Sequence, residues 1–242
     1  MGLAAAGYAE YALIPASWAM EIPEALSFIE AAAIPEVFLT AYQTLVWHGK
    51  LQAEETVLIH AAASGVGTAA IQLAMHLLGA RVIGTAGSEE KLAACRALGA
   101  DVMINYKTQD FAEEVLSATD GRGADVILDF IGASYWEQNL VSIRIDGRWV
   151  LIGILGGAEV EQVNLMELMQ KRIQLTGTLL SPRADAYKAE LTAEFSSRCL
   201  QLFQEGTLKP VIDRGFALDE AQAAHEYMEA NRNIGKIVLK IR

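Results

Sequence analysis

Thr56-Val57-Leu58-Ile59-His60-Ala61-Ala62-Ala63-Ser64-Gly65-Val66-Gly67-Thr68-Ala69-Ala70 changes its period part-way along. Thr56 to His60 is a short β-branched run, the pattern of a buried parallel strand. Val66, Ala69, Ala70, Leu73, Ala74 and Leu77 then recur at the spacing of one helix face. Gly79 supplies the left-handed residue at which such a helix stops. The link between strand and helix is made of small residues, with Ala62, Ser64 and Gly67 at the spacing of the dinucleotide fingerprint and Gly65 beside them. That fingerprint needs small side chains at the turn, at the closest approach to a pyrophosphate, and where helix meets strand. The helix start that follows offers unpaired N–H groups and a partial positive charge to phosphate.

The same alternation continues downstream. Val82 to Thr85, Val102 to Tyr106, Val126 to Ile131, Trp149 to Ile154 and Ile173 to Leu180 read as further buried strands, with helical patterns between them. Leu78-Gly79-Ala80-Arg81-Val82 returns as Leu98-Gly99-Ala100-Asp101-Val102, two successive helix ends each feeding a strand. The repeat does not continue, so it marks two turns of one β-α winding and not a solenoid. Six such strands predict an α/β fold with a doubly wound parallel sheet in the order 3-2-1-4-5-6. Residues 41–181 hold this domain. In residues 1–40 the pattern gives a strand, Glu10 to Ile14, and an Ala-rich helix ending near Pro35. In residues 182–242 it gives a long helix from about Ala184 to Gln204, a short strand near Val211, a helix from Glu220 to Asn231 and a last strand from Lys236 to Ile241.

The chain has 242 residues, 52% of them hydrophobic and 20% charged, enough to bury a full core and far from a disordered composition. Its net charge of −11, without a basic run, argues against nucleic acid as a partner. The apolar stretches are too short and too broken to span a bilayer, and the N-terminus lacks the basic region of a secretory signal. Cys95 and Cys199 cannot build a disulfide framework, so a cytoplasmic location is expected. His48, His60, His76 and His225 share no metal-ligand spacing, and Cys95 falls in a helix with Leu92 and Leu98, so no metal is expected. Asp125 and Asp129 flank a buried strand. Asp129 is expected to end that strand, and Trp18, Trp47, Trp136 and Trp149 to serve in packing.

The second strand indicates which dinucleotide would bind. A site for NAD holds the ribose hydroxyls with a carboxylate about 20 residues after the glycines. Here that strand ends Gly84-Thr85-Ala86-Gly87-Ser88, with no acid. A carboxylate would repel a 2′-phosphate, so the expectation is NADPH (NADP) in preference to NADH. Ser88 and Lys91 offer it a hydroxyl and a cation, and Tyr106 ends the third strand on the same edge. In the simpler reading Ser88 is a helix N-cap and Lys91 a solvated charge, and Ser88 can do both.

These residues together resemble the zinc-independent quinone oxidoreductases of the medium-chain dehydrogenase/reductase superfamily, of the p53-inducible type. The resemblance runs through Ala31-Ala32-Ala33-Ile34-Pro35-Glu36, Thr40-Ala41-Tyr42, Val57 to Ala70, Gly84 to Lys91, Ile104 to Lys107, Asp146-Gly147-Arg148-Trp149 and Asn233 to Leu239. It implies that Ser64, Gly65, Val66 and Gly67 hold the pyrophosphate, and that Gly87, Ser88, Lys91 and Tyr106 hold the adenine ribose with its phosphate. By the same resemblance Phe130, Ile131 and Gly132, then Gly153, Ile154 and Leu155, then Leu179, Leu180 and Ser181 follow the ribose and nicotinamide, with Thr40 facing the nicotinamide. It further implies that the flanks are remnants of a β-rich, GroES-like catalytic domain, most of which lies outside this chain. The activity implied is hydride transfer from NADPH to a quinone or similar conjugated carbonyl. An enoyl or alkene reductase is the near alternative, and a non-catalytic NADPH-binding short form acting through dimerisation is the rival from another class. No catalytic acid is assigned. A homodimer through the edge strand, residues 173–180, is expected, since bare apolar edges pair with copies of themselves.

Overall fold

The computed structural model describes residues 1–241. In chain order the main elements are α1 (Phe28–Ala32), α2 (Pro35–Tyr42), β1 (Thr56–Ile59), α3 (Gly65–Gln72), β2 (Arg81–Ala86), α4 (Glu89–Ala97), β3 (Val102–Asn105), α5 (Phe111–Ala118) and β4 (Ala124–Asp129). There follow α6 (Trp136–Ser142), β5 (Ile143–Leu151), α7 (Leu165–Lys171), β6 (Gln174–Gly177), α8 (Asp185–Gln204), β7 (Ile212–Ala217), α9 (Ala221–Glu229) and β8 (Lys236–Lys240). The chain divides into two compact units. One comprises Met1–Tyr42, Ser64–Ala69 and the chain from Leu180 on, and the other Gln43–Ala63 and Ala70–Leu179.

The second unit holds the six-stranded sheet, in the order β3-β2-β1-β4-β5-β6 with every pair parallel, as the alternation predicts. β1 and β4 are buried along their whole length, which is why they read as continuous apolar runs. Leu58, Ile83, Ile104, Phe111, Ile127, Ile143 and Trp149 make one core cluster. The helix predicted through Leu77 stays α-helical to Gln72, widens to a π-turn over Leu73–Leu77, and stops at Gly79 with φ +65°.

In the first unit, Phe38 of α2 meets Phe203 of α8 edge to face at 4.9 Å, and Tyr42 meets Phe195 in the same way at 5.7 Å. The Tyr42 hydroxyl donates to Glu194 (2.6 Å) and accepts from Arg198 (2.9 Å). β7 and β8 form a separate parallel pair.

Three expected elements differ. Glu10 to Ile14 forms no strand, and Tyr11 and Leu13 are exposed: a short apolar run is present, but a strand needs a neighbour to pair with. β5 begins earlier than expected, because Ile143 pairs with Ala124 before a register shift brings Arg148 opposite Val126. β6 is shorter than expected, since its register with β5 runs only from Gln174 to Gly177.

Candidate functional site

The phosphate-loop residues lie in the first unit. Ser64 precedes α3, and its Oγ accepts the Gly67 N–H at 3.0 Å, the bond of a helix N-cap. The Ser64 carbonyl takes the Thr68 N–H at 2.9 Å. Gly65 and Val66 then hold the first two helical positions, whose N–H groups a helix cannot itself pair. The loop is backed by the C-terminal segment: Ser64 bridges to Gly235, and Lys236 Nζ pairs with Glu36 at 3.3 Å. Nothing in the local pattern at Ser64 announced that backing. Thr40 is buried in α2, Leu180 is buried, and Ser181 is exposed with its carbonyl accepting from Lys188 at 2.7 Å.

The remaining candidates lie in the sheet unit, in two groups at the carboxyl ends of strands. Gly87 follows β2, and a Cβ there would sit 2.6 Å from the Tyr106 hydroxyl, so glycine lets the Tyr106 side chain lie against this backbone. Ser88 caps α4, its Oγ accepting the Lys91 N–H at 3.4 Å. Gly87, Ser88, Lys91 and Tyr106 therefore stand together, with Glu89 and Glu90 exposed beside them.

The second group follows β4 and β5. The Asp129 carbonyl accepts from the Ile152 and Gly153 N–H groups (2.7 and 3.3 Å), Leu155 N–H donates to the Phe130 carbonyl (3.1 Å), and Gly156 N–H to the Ile131 carbonyl (2.7 Å). Phe130, Ile131, Gly153, Ile154 and Leu155 are thus one backbone-stitched surface, with Ile154 and Leu155 exposed. Gly132 has φ +81°, and a Cβ on it would lie 2.7 Å from the Gly157 carbonyl, so the turn requires glycine. Leu179 is exposed beyond β6.

Sequence reasoning missed what holds this second group. The Asp129 side chain is fully buried. Its Oδ1 accepts the N–H groups of Ile131 (2.7 Å) and Gly132 (3.0 Å). Its Oδ2 accepts from Asn139 Nδ2 (3.2 Å) and Trp149 Nε1 (3.1 Å). Since Asn139 gives its NH2 to Asp129, its oxygen is left to accept from His60 Nε2 at 2.7 Å. The proton of His60 is therefore on Nε2, and Nδ1 accepts from the Thr85 hydroxyl at 3.1 Å. Burial pushes the His60 imidazole below its ordinary pKa, with the Asp129 charge and the Asn139 bond opposing. Tyr135, whose ring packs edge to face on His60 at 4.9 Å, has its hydroxyl pushed up to about 12, first by burial. Asp125 lies at the other end of β4, accepting the Thr56 N–H (2.8 Å) and pairing with Arg144. Among the described residues, no three His, Cys, Asp or Glu side chains gather as a metal would require.

The family model described as zinc-binding dehydrogenase matches residues 65–196, more than half of the chain. The chain belongs to this family, within the medium-chain dehydrogenase/reductase superfamily. It is 32% identical to a quinone oxidoreductase-like protein 2 homolog of Nematostella vectensis, over 98% of this chain and 64% of that protein. A solved structure of an NAD-dependent alcohol dehydrogenase shares 37% identity at a TM-score of 0.86, over 98% of this chain and 65% of that one. The Escherichia coli quinone oxidoreductase complexed with NADPH shares 33% identity at a TM-score of 0.85, over 96% of this chain and 71% of that chain. The chain thus spans about two thirds of the length of these relatives.

Proposed function

We propose that the chain binds a nicotinamide dinucleotide, NADPH in preference to NADH, and serves an enzyme that reduces a quinone or similar conjugated carbonyl. The observation that carries this reading is the end of β2. Gly87 brings the Tyr106 hydroxyl against the backbone, Ser88 and Lys91 follow, and the run Gly84 to Ser88 contains no carboxylate to hold ribose hydroxyls. The two solved relatives differ in cofactor, one named for NAD and one complexed with NADPH. The choice therefore rests on this chain's own residues.

In this reading the N–H groups of Gly65 and Val66, with Ser64 and Gly67, hold the pyrophosphate, and Ser88, Lys91, Gly87 and Tyr106 hold the adenine ribose and its phosphate. In the sheet unit, the surface formed by Phe130, Ile131, Gly153, Ile154 and Leu155 receives the nicotinamide half. When bound, the nicotinamide supplies the hydride. The chain's part is to orient the ring and, through apolar side chains such as Ile154 and Leu155, to keep water from it. A second copy of the chain pairs with β6, the end strand of the sheet, where Leu175 is exposed. Thr178 N–H bonds to β5, so in a parallel pair the N–H of Leu175 faces the open edge, and Leu175→Pro should convert a dimer to a monomer in light scattering.

The test is titration with NADPH and NADH followed by nicotinamide fluorescence. NADPH should bind more tightly, and Lys91→Ala should erase a difference of about tenfold or more, the worth of a charge-assisted bond to phosphate. Equal affinities in the unaltered protein would overturn the NADPH assignment. Turnover of an enone but not of a small quinone would select an alkene reductase, and binding without turnover of either would select a non-catalytic binding protein.

A further inference from the structure

The strand ends that would receive the nicotinamide half share one residue as their anchor. The turn Phe130-Ile131-Gly132 is fixed through Asp129 Oδ1, which takes two successive N–H groups of that turn. The start of the second segment is fixed through the Asp129 carbonyl, which takes the N–H groups of Ile152 and Gly153. Asp129 thus sets both segments at once. It is itself held from behind by Asn139 of α6 and Trp149 of β5 at Oδ2. Asn139 in turn is held by His60. The group at the end of β2 is set by other bonds, such as Ser88 Oγ accepting the Lys91 N–H, and it meets this network through Thr85 within the strand and through the Tyr106 ring, 6.4 Å from that of Tyr135.

We propose that Asp129, oriented by Asn139 and Trp149, is a positioning residue that sets the ribose–nicotinamide half of the cofactor site and leaves the adenosine half untouched. The inference rests on the dinucleotide reading above. A carboxylate with both oxygens fully used cannot touch a ligand, so its influence passes through the backbone it holds. Removing a donor at Oδ2 lets the carboxylate turn away from Ile131 and Gly132, and the shift of that turn reaches the second segment through the Leu155–Phe130 and Gly156–Ile131 backbone bonds. A ligand that uses those segments should then bind more weakly. A ligand confined to the end of β2 should bind as before.

Adenosine 2′,5′-bisphosphate provides the second ligand, because it carries the adenine, the ribose and the 2′-phosphate without the nicotinamide. In Asn139→Leu, the dissociation constant for NADPH should rise at least about tenfold while that for adenosine 2′,5′-bisphosphate stays within about twofold. Trp149→Phe, which removes one donor and keeps an aromatic ring against Trp136, should move NADPH alone in the same direction by about threefold. It decides the matter should Asn139→Leu fail to fold. Loss of both affinities in equal proportion would mean a general structural role and overturn the proposal, as would unchanged NADPH binding. If the unaltered protein binds neither NADPH nor the bisphosphate, the dinucleotide reading falls, and this inference with it.

Discussion

The ends of β2 and β4 lie in one sheet, yet they are built by opposite means. After β2 the chain is held piece by piece: Ser88 caps its own helix, and Gly87 makes way for Tyr106 at the end of β3. After β4 a buried carboxylate gathers N–H groups from Ile131, Gly132, Asn139 and Trp149. The first arrangement can change one residue at a time. The second is a connected polar network, in which the loss of one member strands the others in a medium that does not hydrate them. A ligand's phosphate can be held by exposed groups that adjust. A ring that must meet an acceptor at a set angle needs a rigid floor.

Truncating Asp129 tests the contrast most strongly. Asp129→Ala leaves up to four buried N–H donors unpaired and should lower unfolding free energy by about 4 kcal/mol or more, measured by urea titration. A loss near that of a surface substitution would mean that water replaces the carboxylate and that the two strand ends are alike.

The pH dependence sharpens the same comparison. His60 is neutral in the fold because burial depresses its pKa. The unfolded chain takes up a proton near pH 6.5, so below that pH the unfolded state binds more protons and stability falls. The slope from this one group reaches about 1.4 kcal/mol per pH unit, continues down to the depressed folded pKa, and vanishes above pH 7. The stability gap between the unaltered protein and His60→Gln should therefore shrink as pH falls from 7 to 5. A constant gap would show that the His60 pKa is the same in the folded and unfolded chains.

The smallest effect belongs to the β2 end. Ser88→Ala removes one cap bond and should cost about 1 kcal/mol, read in the same urea experiment. A loss rivalling that at Asp129 would dissolve the distinction.

This difference also explains what the sequence disclosed. The strands, the glycine stop at Gly79 and the cap at Ser88 follow from rules that act over a few residues, and each was legible. Asp129, Asn139, Trp149 and His60 are far apart in the chain, and each looks ordinary in place: a strand end, an isolated Asn in a helix, a packing Trp, a buried His. A carboxylate closing the apolar run of β4, and an Asn on the buried face of α6, were the available signals. The failed strand at Glu10 to Ile14 teaches the converse, since a short apolar run is present there and pairing decides. The register shift in β5 likewise depends on what Ala124 and Val126 meet across the sheet.

The hydrogen bonds leading to Asp129 all point the same way: Thr85 hydroxyl to His60, imidazole to Asn139, amide to carboxylate. Such a file of polar groups resembles a wire for protons. Asn139 breaks it, because a primary amide accepts at oxygen and donates at nitrogen and does not readily hand its own proton on. The line is a brace and an insulator. Any proton that joins a reduced acceptor must arrive by a different route, and a charge placed on His60 would stay there.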